Sequence, residues 1–247
     1  MWWNHWRRGA GWLAAVVAGC GIGTLALGGY LGGSARTFTP VVPGPAPAAR
    51  PGMAAVFWSG DMGTWVGFGS DLPERLASKG IPVLTINTPA LFGRARDAAF
   101  ARAEVAGSLA DAIRRSGARQ VAVIGFSFGA DVLAATLGQL DPALRQRIGP
   151  VVLVGPATGI YFHANPFGLF YRGPSVADPR AAAASLRGLR LSCIFAAAEA
   201  DESLCREPAL RRSRLTQIDD GHMMLFHRED VTRAVIASVL NPPEPLP

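Results

Sequence analysis

Histidine and cysteine are scarce in this chain, with four and three among 247 residues. No cysteine–histidine array has zinc-finger spacing, and neither a helix-turn-helix nor an RNA-binding signature is present. The net charge of +6 therefore gives no specific pointer to nucleic acid. A basic chain can otherwise meet an anionic membrane or acidic ligands. No pattern calls for a metal or a cofactor, and none is expected. No internal repeat and no second domain is visible. The length suits one domain plus a leader, and 49% apolar residues are enough for a sizeable core.

Charge is also missing from residues 9–33. Arg7 and Arg8 precede this stretch, which is long enough to span a bilayer although glycine-rich. Positive charge ahead of such a span predicts that the residues after it are exported. Residues 1–35 have three open fates: retention as an anchor, the favoured one; cleavage near Gly33-Ser34-Ala35; or lipidation at Cys20. Residues 36–52, rich in proline and alanine from Pro40 onward, read as a semi-rigid linker. The domain is expected over 53–241, with 242–247 a disordered proline-rich tail. Cys193 and Cys205 make an even pair in the exported part, and in an oxidising compartment they are expected to form a disulfide.

The strongest motif is Gly125-Phe126-Ser127-Phe128-Gly129. It follows the apolar run Val121–Ile124 and precedes a helical pattern from Ala130. A strand, a sharp turn with serine at its tip and a helix form the nucleophile elbow of an α/β-hydrolase. Other short apolar runs, at 56–58, 82–86, 151–154, 191–195 and 215–218, alternate with helical patterns at 71–79, 98–116 and 231–239. They predict an α/β-hydrolase fold: a mostly parallel sheet with helices on both faces, and a small lid insertion between Gly155 and Leu189.

A serine hydroxyl needs a base and a group that orients the base. In this fold they come in the order serine, acid, histidine. Of the four histidines only His222 and His227 lie late enough, and His222, beside the flexible Gly221, is the expected base. The acid is expected in Glu199-Ala200-Asp201-Glu202. Asp201 is the first choice, with Glu199 and Glu202 as alternatives. A Cys193–Cys205 bridge would hold this loop in place. The oxyanion donors are expected to be the amide of Phe128 and one from Gly60 or Asp61.

These residues also resemble a family. Gly125–Val132, the loop Ser59-Gly60-Asp61 with Trp65, the cysteine-bounded acidic loop from Cys193 to Cys205, and Gly221-His222 are similar to the bacterial VirJ/AcvB virulence-protein domain. The resemblance covers roughly residues 54–240. Met62 departs from it where the family has glycine, the run Ala196–Ala198 is longer and less polar, and Phe126 stands where tyrosine is common. The resemblance implies a periplasmic serine hydrolase that cleaves aminoacyl esters of phosphatidylglycerol, notably the lysyl ester. It also links the domain to secretion-system components. An exported adaptor with an unused triad, and a general carboxylesterase, are the competing readings.

A lipid partner agrees with two further features. Tyr161, Phe162, Phe167 and Phe170 in the insertion could meet an anionic or aminoacylated phospholipid at the membrane surface, or pack as core. Arg206, Arg211, Arg212 and Arg214 could attract anionic headgroups, or form a solvated face.

Overall fold

The apolar runs become a seven-stranded sheet in the order β1-β3-β2-β4-β5-β6-β7. The strands are β1 (Arg36–Thr39), β2 (Met53–Trp58), β3 (Val83–Ile86), β4 (Gln120–Phe126), β5 (Ile148–Val154), β6 (Arg190–Ala196) and β7 (Arg214–Ile218). This is a computed structural model, and it describes residues 19–41, 50–65, 67–168, 171 and 173–247. All strand pairs are parallel except β1 with β3. Parallel strands must be covered on both faces, which is why β2 and β5 are apolar along their length and wholly buried.

Two layers of side chains do the covering. On one face the helix Ala98–Ser116 presents Ala101, Val105, Leu109 and Ala112 to a core containing Val56, Leu84 and Val123. Asp97 starts this helix by accepting a hydrogen bond from the Phe100 amide at 2.7 Å. Gly117, left-handed at φ 67°, ends it. On the other face Val231, Val235 and Val239 of the helix Arg228–Leu240 meet Phe57, Ile124 and Val152. Full burial of each valine contributes about 1.5–3 kcal/mol.

Both ends of the domain extend past the expected bounds. Residues 36–39 are a paired edge strand, whereas the composition suggested linker. Arg36 Nη2 donates to Glu104 Oε2 at 2.7 Å, and Phe38 packs against the core under Arg115. These side-chain partners lie far along the chain, so local composition could not announce them. Of the rest of the expected linker, residues 42–49 lie outside the described residues. The tail also corrects the expectation of disorder: Leu246 is buried, donates its amide to Leu189 O at 2.9 Å and accepts from Gly188 N at 2.8 Å. An apolar side chain with a core gap to fill overrides the polar, proline-rich context.

Of the leader, residues 19–28 are helical and 1–18 lie outside the described residues. Among the described residues no helix is long and apolar enough to cross a membrane. The segment after this helix reaches the loop beyond β2, where Tyr30 Oη donates to Asp61 O at 2.9 Å.

Candidate active site

Ser127 sits between β4 and the helix Phe128–Thr136, at φ 50° and ψ −121°. A non-glycine residue is strained there by about 1–3 kcal/mol, and the surroundings must hold it. They do so from both sides: Ser127 N donates to Val154 O at 2.7 Å, and Ser127 O accepts from Asp131 N at 3.0 Å. The flanking glycines are required by close approach. A Cβ on Gly125 would stand 2.7 Å from Ala130 Cα, and one on Gly129 would stand 2.5 Å from the carbonyl oxygens of Ser59 and Trp58.

The bend brings Ser127 Oγ to 2.7 Å from His222 Nε2. On the far side of the ring, His222 Nδ1 lies 2.6 Å from Glu199 Oε2. An ionised carboxylate only accepts, so Glu199 fixes the ring proton on Nδ1 and leaves Nε2 to accept from the serine. The hydrogen bond to Glu199 raises the imidazole pKa; burial works against this, and the charges of Glu199 and Asp61 add to the rise. Phe126 lies nearly parallel to the imidazole, with ring centres 6.3 Å apart.

The acid expectation is corrected here. Asp201 is exposed and makes no contact with His222 among the described residues. β6 runs to Ala196, and the 3-10 turn Ala197–Glu202 begins at once. Glu199 lies three residues beyond the strand, and its long side chain reaches the ring, while the turn carries Asp201 outward. Glu202 lines the pocket beside the site without touching the imidazole. The expected disulfide is present, with Cys193 on β6 and Cys205 closing the loop that holds Glu199.

Asp220 organises the histidine loop, a part that sequence reasoning missed. Its Oδ1 accepts from Gly221 N at 2.7 Å, and its Oδ2 accepts from Phe226 N at 2.9 Å and His227 N at 3.2 Å. Asp-Gly before a histidine, just after a strand, is the local signal that could have revealed it.

The remaining wall is the loop after β2. Gly60 packs against Ser127: a Cβ there would lie 3.3 Å from Ser127 Cβ. Ser59 and Thr88 lock the loop, Thr88 Oγ1 donating toward Ser59 O and Gly60 O and Ser59 Oγ accepting from Thr88 N. Phe128 opens its helix, so its amide has no acceptor within it. Gly60, Asp61, Ser127, Phe128 and His222 line one cavity of about 330 Å³. Asp61 is 7% exposed, and its Oδ1 accepts from Tyr171 Oη at 2.6 Å and Asn165 N at 3.0 Å. Burial pushes its carboxyl up to about 6, against the lowering effect of those two hydrogen bonds and of His222.

The insertion aromatics divide. Phe162 is buried in the core and cannot meet lipid. Tyr161 is half-buried and stacks on Tyr171 at 4.8 Å, so it braces the residue that holds Asp61. Phe170 and the side chain of Phe167 lie outside the described residues. Leu225 and Phe226, in the histidine loop, are exposed apolar residues, at 55% and 92%.

Likeness to known proteins is found in the family and in the fold. A family model described as bacterial virulence protein (VirJ) matches residues 52–241. No curated protein matches the chain. Solved structures share its fold. Est1E from Butyrivibrio proteoclasticus with bound ferulic acid is 15% identical with TM-score 0.55, over 81% of this chain and 91% of that one. An alpha-beta serine hydrolase homologue from Coxiella burnetii is 12% identical with TM-score 0.55, over 83% and 90%. The NocB thioesterase domain, in covalent complex with a fluorophosphonate nocardicin G analogue, is 16% identical with TM-score 0.51, over 83% and 99%.

Proposed function

The chain belongs to the VirJ family of bacterial virulence proteins and has the α/β-hydrolase fold, and on that premise we propose that it is an exported serine hydrolase of aminoacyl esters. One observation carries this reading: the continuous chain from Ser127 Oγ through His222 to Glu199, with contacts of 2.7 and 2.6 Å.

The mechanism rests on the roles these groups can take. Ser127 Oγ attacks the ester carbonyl while His222 Nε2 accepts its proton. Glu199 stabilises the imidazolium that forms. The amides of Phe128 and of Gly60 or Asp61 receive the oxyanion; preset donors at such a position are worth about 3–4 kcal/mol each. His222 then protonates the leaving alcohol. Water, deprotonated by the same ring, attacks the acyl-enzyme and frees the acid and the serine.

The substrate within this class is the aminoacyl ester of phosphatidylglycerol, lysyl above all, met at the periplasmic face of the membrane. The cavity supports an acyl group of amino-acid size and is far too small for a whole phospholipid, so the lipid tails stay outside. Exposed Leu225 and Phe226 beside the histidine supply apolar surface for that approach. The Cys193–Cys205 bridge suits an oxidising compartment. The test is release of lysine from vesicles containing lysyl-phosphatidylglycerol. The wild type is expected to release it and Ser127→Ala to fail while keeping the same melting temperature; equal release by both would overturn the reading.

A further inference from the structure

The active-site cavity is acidic in a chain that is basic overall. Asp61, Asp131, Glu199 and Glu202 line it, and among the described residues no lysine or arginine does. Glu199 is occupied by His222. Asp61 and Asp131 are not used by the triad, and both are only 7% exposed. Asp131 lies one helical turn beyond the nucleophile, and its Oδ1 accepts from Ala157 N at 2.8 Å. The second carboxylate oxygen of each aspartate has no partner among the described residues.

Burial raises the proton affinity of both carboxyls, the charge of Asp61 raises that of Asp131 further, and ionising them is costly without a positive partner. A neutral acyl group would be served better by apolar side chains at these positions. We propose that Asp61 and Asp131 form the acyl-side subsite and recognise a primary ammonium on the acyl group of the substrate. This assignment rests on the hydrolase reading of the same cavity and adds the residues that select a charged acyl group over a neutral one. Tyr171, braced by Tyr161, and the Asn165 amide hold Asp61 in place and leave Oδ2 for the ligand.

The test uses a matched pair of 4-methylumbelliferyl esters, alanyl and propionyl, which differ by the ammonium alone. Wild type is expected to favour the alanyl ester by at least 10-fold in kcat/KM. Asp131→Asn and Asp61→Asn are each expected to cut that preference about 10-fold. Because the readout is a ratio, a general loss of activity in either variant does not mimic the effect. Equal use of both esters by the wild type, or an unchanged preference in both variants, would overturn the subsite while Ser127-dependent turnover still upheld the hydrolase. If neither ester is cleaved, lysine release from vesicles still decides the hydrolase reading, and calorimetry with alaninamide and propionamide decides the subsite alone. Binding of alaninamide only, weakened at least 10-fold by Asp131→Asn, supports it. Absence of alaninamide binding contradicts it.

Discussion

Glu199 Oε2 and His222 Nδ1 lie 2.6 Å apart although 23 residues separate them in sequence. Each is delivered by the end of a strand, β6 for the acid and β7 for the histidine, and these strands are parallel neighbours. Both chain segments therefore leave the sheet at the same edge, above the serine. Glu199→Gln keeps the size but reverses the hydrogen-bond logic at Nδ1, and is expected to lower kcat by about 10²–10⁴-fold. Asp201→Ala is expected to leave kcat within about twofold. Steady-state kinetics of the two variants on one ester separates the roles.

The same contact sets the acid limb of the pH profile. His222 must be neutral to accept the serine proton, and its pKa is raised, first by the hydrogen bond to Glu199. Activity is therefore expected to fall, as pH decreases, at a pH above the ordinary imidazole value. In Glu199→Gln the largest raising cause is gone, the charge of Asp61 remains, and burial still favours the neutral ring. The residual activity should then persist to lower pH than in the wild type. A limb that does not move, or moves upward, would contradict the assignment.

Asp61 is expected to trade stability for function. Its carboxyl is raised from 3.8 to about 6, so the folded state holds a proton that the unfolded state has lost across that window. Stability then falls as pH rises from about 4 to 6 and stays lower above it. Asp61→Asn keeps an oxygen to accept from Tyr171 and Asn165 but removes the buried charge. It is expected to be more stable than wild type by about 2 kcal/mol at pH 7 and no more stable at pH 4. Denaturant melts at the two pH values check this.

Gly129→Ala tests the elbow. The new methyl would stand 2.5 Å from two backbone carbonyls, and backbone cannot step aside as a side chain can. A cost of about 1–3 kcal/mol is expected. The carbonyls belong to Trp58 and Ser59, at the root of the oxyanion loop, so kcat should fall at least 10-fold even where the protein remains folded. Circular dichroism and kinetics at low temperature separate the two effects.

Removing the disulfide, by Cys193→Ser with Cys205→Ser, is expected to cost about 3 kcal/mol by loop-entropy arithmetic. The freed loop carries Glu199, so kcat should drop with KM little changed. Thermal melting with and without reductant, alongside kinetics of the double variant, measures both.

Much of this was legible from local pattern. Glycine two residues either side of Ser127, after an apolar run, specified the bend because both glycines touch backbone. The helix Ala98–Ser116 was readable because Val105 and Leu109 share one face and Gly117 stops it. The acid was harder: a choice among Glu199, Asp201 and Glu202 depends on where β6 ends and how the turn winds, and a shift of two residues reverses inside and outside. β1 and Leu246 were hidden for a related reason, since only distant partners make them structural. The Asp61–Asp131 pair could not be seen at all, because its members are 70 positions apart and meet only at the cavity.

The central claim is that Ser127 is a nucleophile activated by His222, and covalent labelling tests it most directly. Intact-mass spectrometry after exposure to a fluorophosphonate probe should show one adduct, mapped by peptide sequencing to Ser127 and lost in Ser127→Ala. His222→Ala should slow labelling at least 100-fold. No adduct on the folded wild-type protein, or an adduct that survives Ser127→Ala, would contradict the account.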